Sequence, residues 1–136
     1  MDIKDLTETF DLLGDWEERF RYLIDLGEKL PSVPDALKTE ENRIKGCLSQ
    51  VWMVAEWDEA GRLNLRADSD AKIVRGLIAV LYSIFSGKTR DDIASTDVEK
   101  VFKTLGLDQH LSPNRRNGFF SMVERLRVFV ATSPDK

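Results

Sequence analysis

The chain contains one cysteine, Cys47, and its neighbours suit a reactive thiol. Arg43 and Lys45 stand shortly before it, and nearby cations favour the thiolate form of a cysteine. Gly46, directly before the thiol, allows backbone conformations that aim the side chain inward or outward at the junction of a loop and a strand. The alternative is that Cys47 packs as a small apolar residue, as free cysteines usually do.

The single histidine, His110, is a candidate base for this thiol. A nucleophilic cysteine needs a base within hydrogen-bond reach, and the two residues can lie far apart in the chain. A dyad of Cys47 and His110 would make the protein a thiol hydrolase or transferase that acts on a small molecule. A loop histidine also often serves as a capping or hydrogen-bonding residue, so both interpretations stay open.

Arg115 and Arg116 stand in the first turn of the predicted last helix. Cations at this end oppose the helix dipole, whose positive pole favours an anion. Two arginines beside free backbone N–H groups predict an anion site, able to hold a carboxylate, a thiolate or an acidic side chain of a partner. The alternative is that both side chains extend into solvent.

Asp68 and Asp70 form a pair of carboxylates just before a strongly apolar helical segment. Two nearby carboxylates can serve acid–base chemistry. A helix start offers a simpler explanation, because aspartates there cap free N–H groups and complement the helix dipole. We therefore predict that the pair caps the helix.

Composition excludes several classes of protein. The 136 residues fit one domain spanning 1–136. A content of 42% apolar residues indicates a folded globular protein. The net charge of −4 argues against non-specific binding of nucleic acid. One cysteine cannot form an internal disulfide or hold a thiolate zinc or iron–sulfur site alone, and one histidine excludes sites with two imidazoles. We predict no metal.

The sequence carries no sign of export or membrane insertion. Its N-terminus is acidic and has neither the basic and apolar regions of a signal peptide nor the character of a transit peptide. The longest apolar stretch, residues 77–85, is less than half of the roughly 20 residues that a membrane span needs. We expect a cytoplasmic protein with a reduced thiol and no membrane partner.

Hydrophobic periodicity predicts an α+β fold, with helices packed on a small antiparallel sheet of about three strands. The expected elements are two helices split at Gly14, a loop over 31–45, strands at 48–57 and 62–67, a central buried helix at 70–85, two short helices capped by Thr89 and Thr96, a loop through His110 and a last helix from Pro113. The second helix begins at Asp15, and Gly14 is expected to end the first in a left-handed conformation.

Three stretches together resemble the SufE family of sulfur acceptors from iron–sulfur cluster assembly. They are residues 42–52 (NRIKGCLSQVW), 67–79 (ADSDAKIVRGLIA) and 109–118 (QHLSPNRRNG). The first is similar to the family's persulfide-cysteine segment, and the order and separation of all three also match. Three matched motifs are far more specific than a lone glycine–cysteine pair.

The resemblance implies a fold shared with IscU-type scaffold proteins and a role for Cys47 as the persulfide carrier. Cys47 would receive sulfane sulfur from a cysteine desulfurase of the SufS or CsdA kind and pass it to a SufBCD-like scaffold complex. The protein would also raise the turnover of that desulfurase. The pyridoxal phosphate would belong to the desulfurase, so no cofactor is expected in this chain. The protein would be a sulfur carrier and desulfurase activator rather than an enzyme. It would be a monomer or a weak homodimer. The residues expected to support Cys47 or contact a partner are Gly46, Gln50, Asp70, His110 and Arg115. A binding module in which Cys47 merely packs is the remaining alternative.

Overall fold

The structure is a computed structural model, and it describes residues 2–44 and 50–133. Its elements in chain order are α1 (Ile3–Leu12), α2 (Trp16–Glu28), a 3-10 helix (Asp35–Leu37), β1 (Val51–Trp57), β2 (Leu63–Ser69), α3 (Lys72–Phe85), α4 (Arg90–Ala94), α5 (Val98–Thr104), α6 (Leu107–His110) and α7 (Pro113–Thr132). Helices pack on a small antiparallel sheet, which confirms the predicted α+β class.

The first two helices are split where the sequence predicted. The Asp15 side chain caps α2 by accepting a hydrogen bond from the N–H of Glu18. The prediction of a left-handed Gly14 is wrong, because Gly14 does not have a positive φ. Arg19 makes such a stop unnecessary: its Nε donates to the carbonyl oxygens of Phe10 at 3.0 Å and Leu13 at 3.3 Å, which satisfies the end of α1.

The sheet of the described residues is a two-stranded hairpin with an isolated bridge at its other edge. β1 and β2 pair antiparallel from Val51 opposite Ser69 to Trp57 opposite Leu63, and the turn between them contains Gly61 at φ 77°. Residues 42–44 run along the other edge of β1 through one isolated bridge, so β1 is central. Within the described residues the sheet thus has two strands, whereas about three were predicted, and the third pairing is limited to this bridge.

Helix α3 is the centre of the core, as its apolar sequence predicted. It packs against α1, α2, β2 and α7. Its buried residues are Ile73, Val74, Gly76, Leu77, Ile78, Val80, Leu81, Ser83, Ile84 and Phe85. It begins at Lys72 rather than at Asp70, and its N-cap, Ala71, makes no side-chain cap hydrogen bond.

The C-terminal helices differ from prediction in their caps. Thr89 forms the expected capping box at α4, whereas α5 is capped by Asp97 instead of Thr96. The hydroxyl of Thr96 instead donates to the carbonyl oxygen of Asp92 at 2.8 Å. The predicted loop through His110 contains the short helix α6.

Across residues 2–44 and 50–133, we find no helix that combines the length and the apolar character needed to cross a bilayer.

Candidate functional site

The structure describes both ends of the segment that carries the predicted thiol. Cys47 and Gly46 themselves lie outside the described residues. On one side Ile44 is buried, and its N–H donates to the carbonyl oxygen of Val51 at 2.8 Å. This bond holds the residue that precedes the segment against the start of β1.

Gln50 and Asp70, two of the predicted supporting residues, hold the other end. The N–H of Gln50 donates to Asp70 Oδ1 at 3.1 Å, and the N–H of Asp70 donates to the Gln50 carbonyl oxygen at 3.3 Å. The Ser69 hydroxyl donates to the same carbonyl at 2.8 Å. Asp70 thus lies at the sheet end next to the cysteine segment, and its side chain fixes Gln50 rather than capping α3.

Asp68 is a buried anion in β2, with 4% of its surface exposed. Its Oδ1 accepts from the N–H of Ser69 at 2.8 Å and lies 3.5 Å from Arg75 Nε. Its Oδ2 accepts from the N–H of Val33 at 3.3 Å and lies 3.7 Å from Lys38 Nζ. The prediction that Asp68 caps α3 is wrong, because the carboxylate is taken up by these partners within the strand.

The partners of Asp68 connect four parts of the chain. Arg75 on α3 also donates from Nη2 to the carbonyl oxygen of Leu30 at 3.0 Å. Lys38, just after the 3-10 helix, lies with its ammonium 5.1 Å from the centre of the Trp52 ring, and Trp52 stands opposite Asp68 in the sheet. Sequence reasoning missed Lys38 and Arg75, since neither spacing nor charge pattern links them to Asp68.

We expect Asp68→Asn to lower the free energy of unfolding by about 2 kcal/mol, because two cations would lose their buried anion. The loss should stay below that of a fully buried pair, since the side chains of Lys38 and Arg75 are 29% and 24% exposed. The matched control is Asp35→Asn: Asp35 also lies 3.7 Å from Lys38 but is fully exposed, so its replacement should leave stability unchanged. Urea unfolding checks both, and equal losses in the two variants would contradict the assignment.

His110 ends α6 and stacks on Trp16 of α2. The two ring centres are 4.4 Å apart, and the ring planes are inclined by 10°. This contact explains the position of the histidine as packing between α6 and α2. A pairing of His110 with Cys47 stays a prediction, because Cys47 is outside the described residues.

The two arginines at the start of α7 differ in their surroundings. Arg116 Nη2 donates to the carbonyl oxygen of Asp108 at 2.5 Å, so its guanidinium already binds within the chain. The N–H of Arg115 donates to the hydroxyl of Ser112, the N-cap, at 3.3 Å. The N–H of Arg116 donates to the Ser112 carbonyl oxygen at 2.9 Å, so the predicted anion site lacks free N–H groups at both arginines, and Arg115 contributes an exposed side chain.

Comparison of the sequence with models of known protein families assigns the chain to one of them. The family profile SufE, described as an Fe–S metabolism associated domain, matches residues 4–130. The chain belongs to the SufE family. This confirms the resemblance seen in the three motifs.

Curated relatives agree with the SufE assignment. An uncharacterized SufE-like protein of Rhizobium meliloti (strain 1021) is 44% identical over 125 residues, which is 90% of this chain and 89% of the relative. A second, from Rhizobium etli, is 42% identical over 125 residues, covering 90% of this chain and 84% of the relative. As a SufE protein, the chain has a role in Fe–S metabolism and is associated with the Fe–S assembly machinery.

A solved structure supports the fold of this SufE chain. The solution structure of a hypothetical protein from Thermus thermophilus matches with a TM-score of 0.76 over 95% of this chain and 93% of that chain. Sequence identity is 21%, so the likeness concerns the fold alone.

Proposed function

We propose that this SufE protein accepts sulfane sulfur from a cysteine desulfurase on Cys47, raises the turnover of that desulfurase and passes the sulfur to an Fe–S cluster scaffold complex. The pyridoxal phosphate for sulfur release belongs to the desulfurase. The protein acts as a carrier, and its thiol works in a reducing compartment, which we take to be the cytoplasm.

The observation that carries the proposal is that the segment with the only cysteine is held at both ends on the sheet. Ile44 is fixed to Val51, and Gln50 is fixed to Asp70. Cys47 is three residues from Ile44 and three from Gln50 in the sequence, so the described residues on both sides of its segment are tied to the sheet. A partner that docks at this end of the sheet would meet the two fixed ends of the segment that carries the thiol.

The chemistry needs one thiol and no redox partner. The Cys47 thiolate attacks the outer sulfur of the desulfurase persulfide, a new S–S bond forms on Cys47, and the S–S bond of the donor breaks. The donor cysteine leaves as a thiolate, so charge and electrons balance without an oxidant. With one cysteine in the chain, no second thiol can discharge the persulfide as an internal disulfide.

Arg115 and His110 have supporting roles in the proposal. The exposed guanidinium of Arg115 would stabilise a thiolate or persulfide or bind an acidic side chain of the partner. His110, fixed by its stack on Trp16, would help to shape the partner-binding surface.

The proposal is tested by incubating the protein with a SufS-type desulfurase and free cysteine, without reductant. We expect intact mass spectrometry to show the gain of one sulfur atom, peptide mapping to place it on Cys47, and cysteine consumption by the desulfurase to rise. The control is the same protein with Cys47 alkylated beforehand, which should gain no sulfur. Failure of the untreated protein to load with several desulfurases would overturn the proposal.

A further inference from the structure

Residues 31–38 form a strap over one end of the solvent-facing side of the sheet. Side chains of a strand alternate between its two faces, and in β2 Asn64 and Arg66 are exposed whereas the residues on either side of each are buried. By this alternation Asp68 belongs to the same face as Asn64 and Arg66, yet only 4% of its surface is exposed. The N–H of Val33 and the ammonium of Lys38, both in the strap, contact its Oδ2, so the strap covers this carboxylate.

The strap is attached to the rest of the protein by few contacts. Val33 is its one buried side chain. The exposed residues of the strap are Pro31, Ser32, Pro34, Asp35 and Ala36. Its two ends are anchored, because Arg75 Nη2 donates to the carbonyl oxygen of Leu30, directly before the strap, and Asn42 Nδ2 donates to that of Leu37 at 2.8 Å. Between these anchors, the described polar contacts with the sheet are made to Asp68 and to the ring of Trp52.

Asp68 is held more closely by its own strand than by the strap. Its Oδ1 accepts from the N–H of Ser69 at 2.8 Å, whereas the N–H of Val33 and the ammonium of Lys38 lie 3.3 Å and 3.7 Å from Oδ2. Arg75 on α3 faces Oδ1 with its buried Nε at 3.5 Å, and this Nε has no hydrogen-bond partner among the described residues. Because a hydrogen bond weakens as it lengthens, the strap makes the weaker of the contacts around this carboxylate.

Opening of the strap costs little electrostatic free energy. Water would hydrate the carboxylate of Asp68 and the ammonium of Lys38, and this regained hydration offsets much of the attraction that is lost. Arg75 belongs to α3 and stays beside Asp68, and Asp35, 3.7 Å from Lys38, moves with the strap. The contacts that opening breaks are then the burial of Val33, its hydrogen bond to Asp68, and the contacts of Lys38 with the sheet.

We infer that the strap opens and closes as a unit while the core stays folded, and that the pair of Asp68 and Lys38 is the contact that salt weakens. In the open state the carboxylate of Asp68 and the ring of Trp52, which stands opposite it in the sheet, become accessible to solvent. Dissolved ions screen the attraction between the two charges, and they reach this pair because the Lys38 side chain is 29% exposed. This motion belongs to the chain itself and does not depend on the proposed function.

The test is native-state hydrogen exchange followed by NMR. The N–H of Val33 reports on the strap, and the N–H of Leu81, a fully buried residue of α3, reports on the core. We expect the protection factor of Val33 to be at least about tenfold lower than that of Leu81 and insensitive to low concentrations of urea, because local opening exposes little surface. Raising sodium chloride from about 0.05 M to about 0.5 M should lower the protection factor of Val33 about threefold.

Two variants separate opening of the strap from unfolding of the whole protein. Lys38→Gln should lower the protection factor of Val33 about fivefold, since the ion pair with Asp68 and the contact with Trp52 are lost. Its matched control is Lys72→Gln, which removes a 77% exposed ammonium that pairs with Glu28 and should leave Val33 unchanged. Ile84→Val removes one methyl group from the core and should lower the protection factor of Leu81 about fivefold without changing that of Val33.

Two results would overturn the inference. Equal protection of Val33 and Leu81, or a loss of Val33 protection in Ile84→Val as large as that of Leu81, would show that the strap opens only when the whole protein unfolds. A protection factor of Val33 that changes neither with salt nor in Lys38→Gln would show that the pair of Asp68 and Lys38 does not hold the strap closed.

Discussion

Replacing Cys47 by serine is expected to reduce sulfur transfer to this protein by at least about a hundredfold, since the nucleophile is lost. A serine hydroxyl is not ionised at neutral pH and cannot form the S–S bond that holds sulfane sulfur. No other side chain can replace it, because the chain has one cysteine. Intact mass after incubation with a desulfurase and cysteine measures the loss.

The Cys47→Ser variant also distinguishes the acceptance of sulfur from the binding of the donor protein. Because the substitution exchanges a single atom and leaves the rest of the surface unchanged, the variant should still bind the donor, and an excess of it should slow the loading of wild-type protein. Sulfur gained by the variant in amounts close to wild type would contradict the assignment of Cys47. Absence of competition would contradict donor binding through surface other than the thiol itself.

Gly76→Ala is expected to destabilise the fold by about 3 kcal/mol, because there is no room for a methyl group where α2 and α3 cross. A Cβ on Gly76 would lie 2.6 Å from the carbonyl oxygen of Leu23, and one on Gly27 would lie 2.6 Å from the backbone nitrogen of Gly76. Both obstacles are backbone atoms, so the helices themselves must separate. Alanine gains about 1 kcal/mol in helix propensity, which does not offset this clash.

The matched control for the helix crossing is Gly14→Ala. No atom lies within 4 Å of a Cβ built there, and the residue has no positive φ. Alanine should therefore be neutral or stabilising by up to about 1 kcal/mol. Thermal or urea unfolding of both variants checks the pair, and a Gly76→Ala protein as stable as the control would show that the crossing is looser than the structure places it.

Much of the fold could be predicted from local pattern. The α+β class, the split between α1 and α2, the hairpin at Gly61 and the buried central helix α3 all follow from periodicity and turn residues, which act over a few neighbours. Caps were less predictable, because several acceptors compete at each helix start. Asp97 rather than Thr96 caps α5, and Arg19 from the next helix replaced the expected glycine stop of α1.

For the candidate site, the sequence predicted residues that lie within a recognisable motif, but it did not predict contacts between residues that are distant in the chain. The assignment of Cys47 as the sulfur acceptor stays a prediction, and of the residues expected to support it the structure brings Gln50 and Asp70 together. The role of Asp68 was misread, because its partners come from positions 33, 38 and 75 and no local pattern links them. Gly27 and Gly76 lie inside helices, where a glycine costs about 1 kcal/mol of stability relative to alanine. Their presence there therefore indicated close packing of the two helices.

The sequence by itself determined the family and the order of most elements, because these depend on residue types and on short-range periodicity. Only the tertiary structure decided that Asp68 is a buried anion with two cations and that Gln50 is fixed by Asp70. Each of these joins residues distant in the chain, and such contacts form only when packing of the whole core brings the elements together.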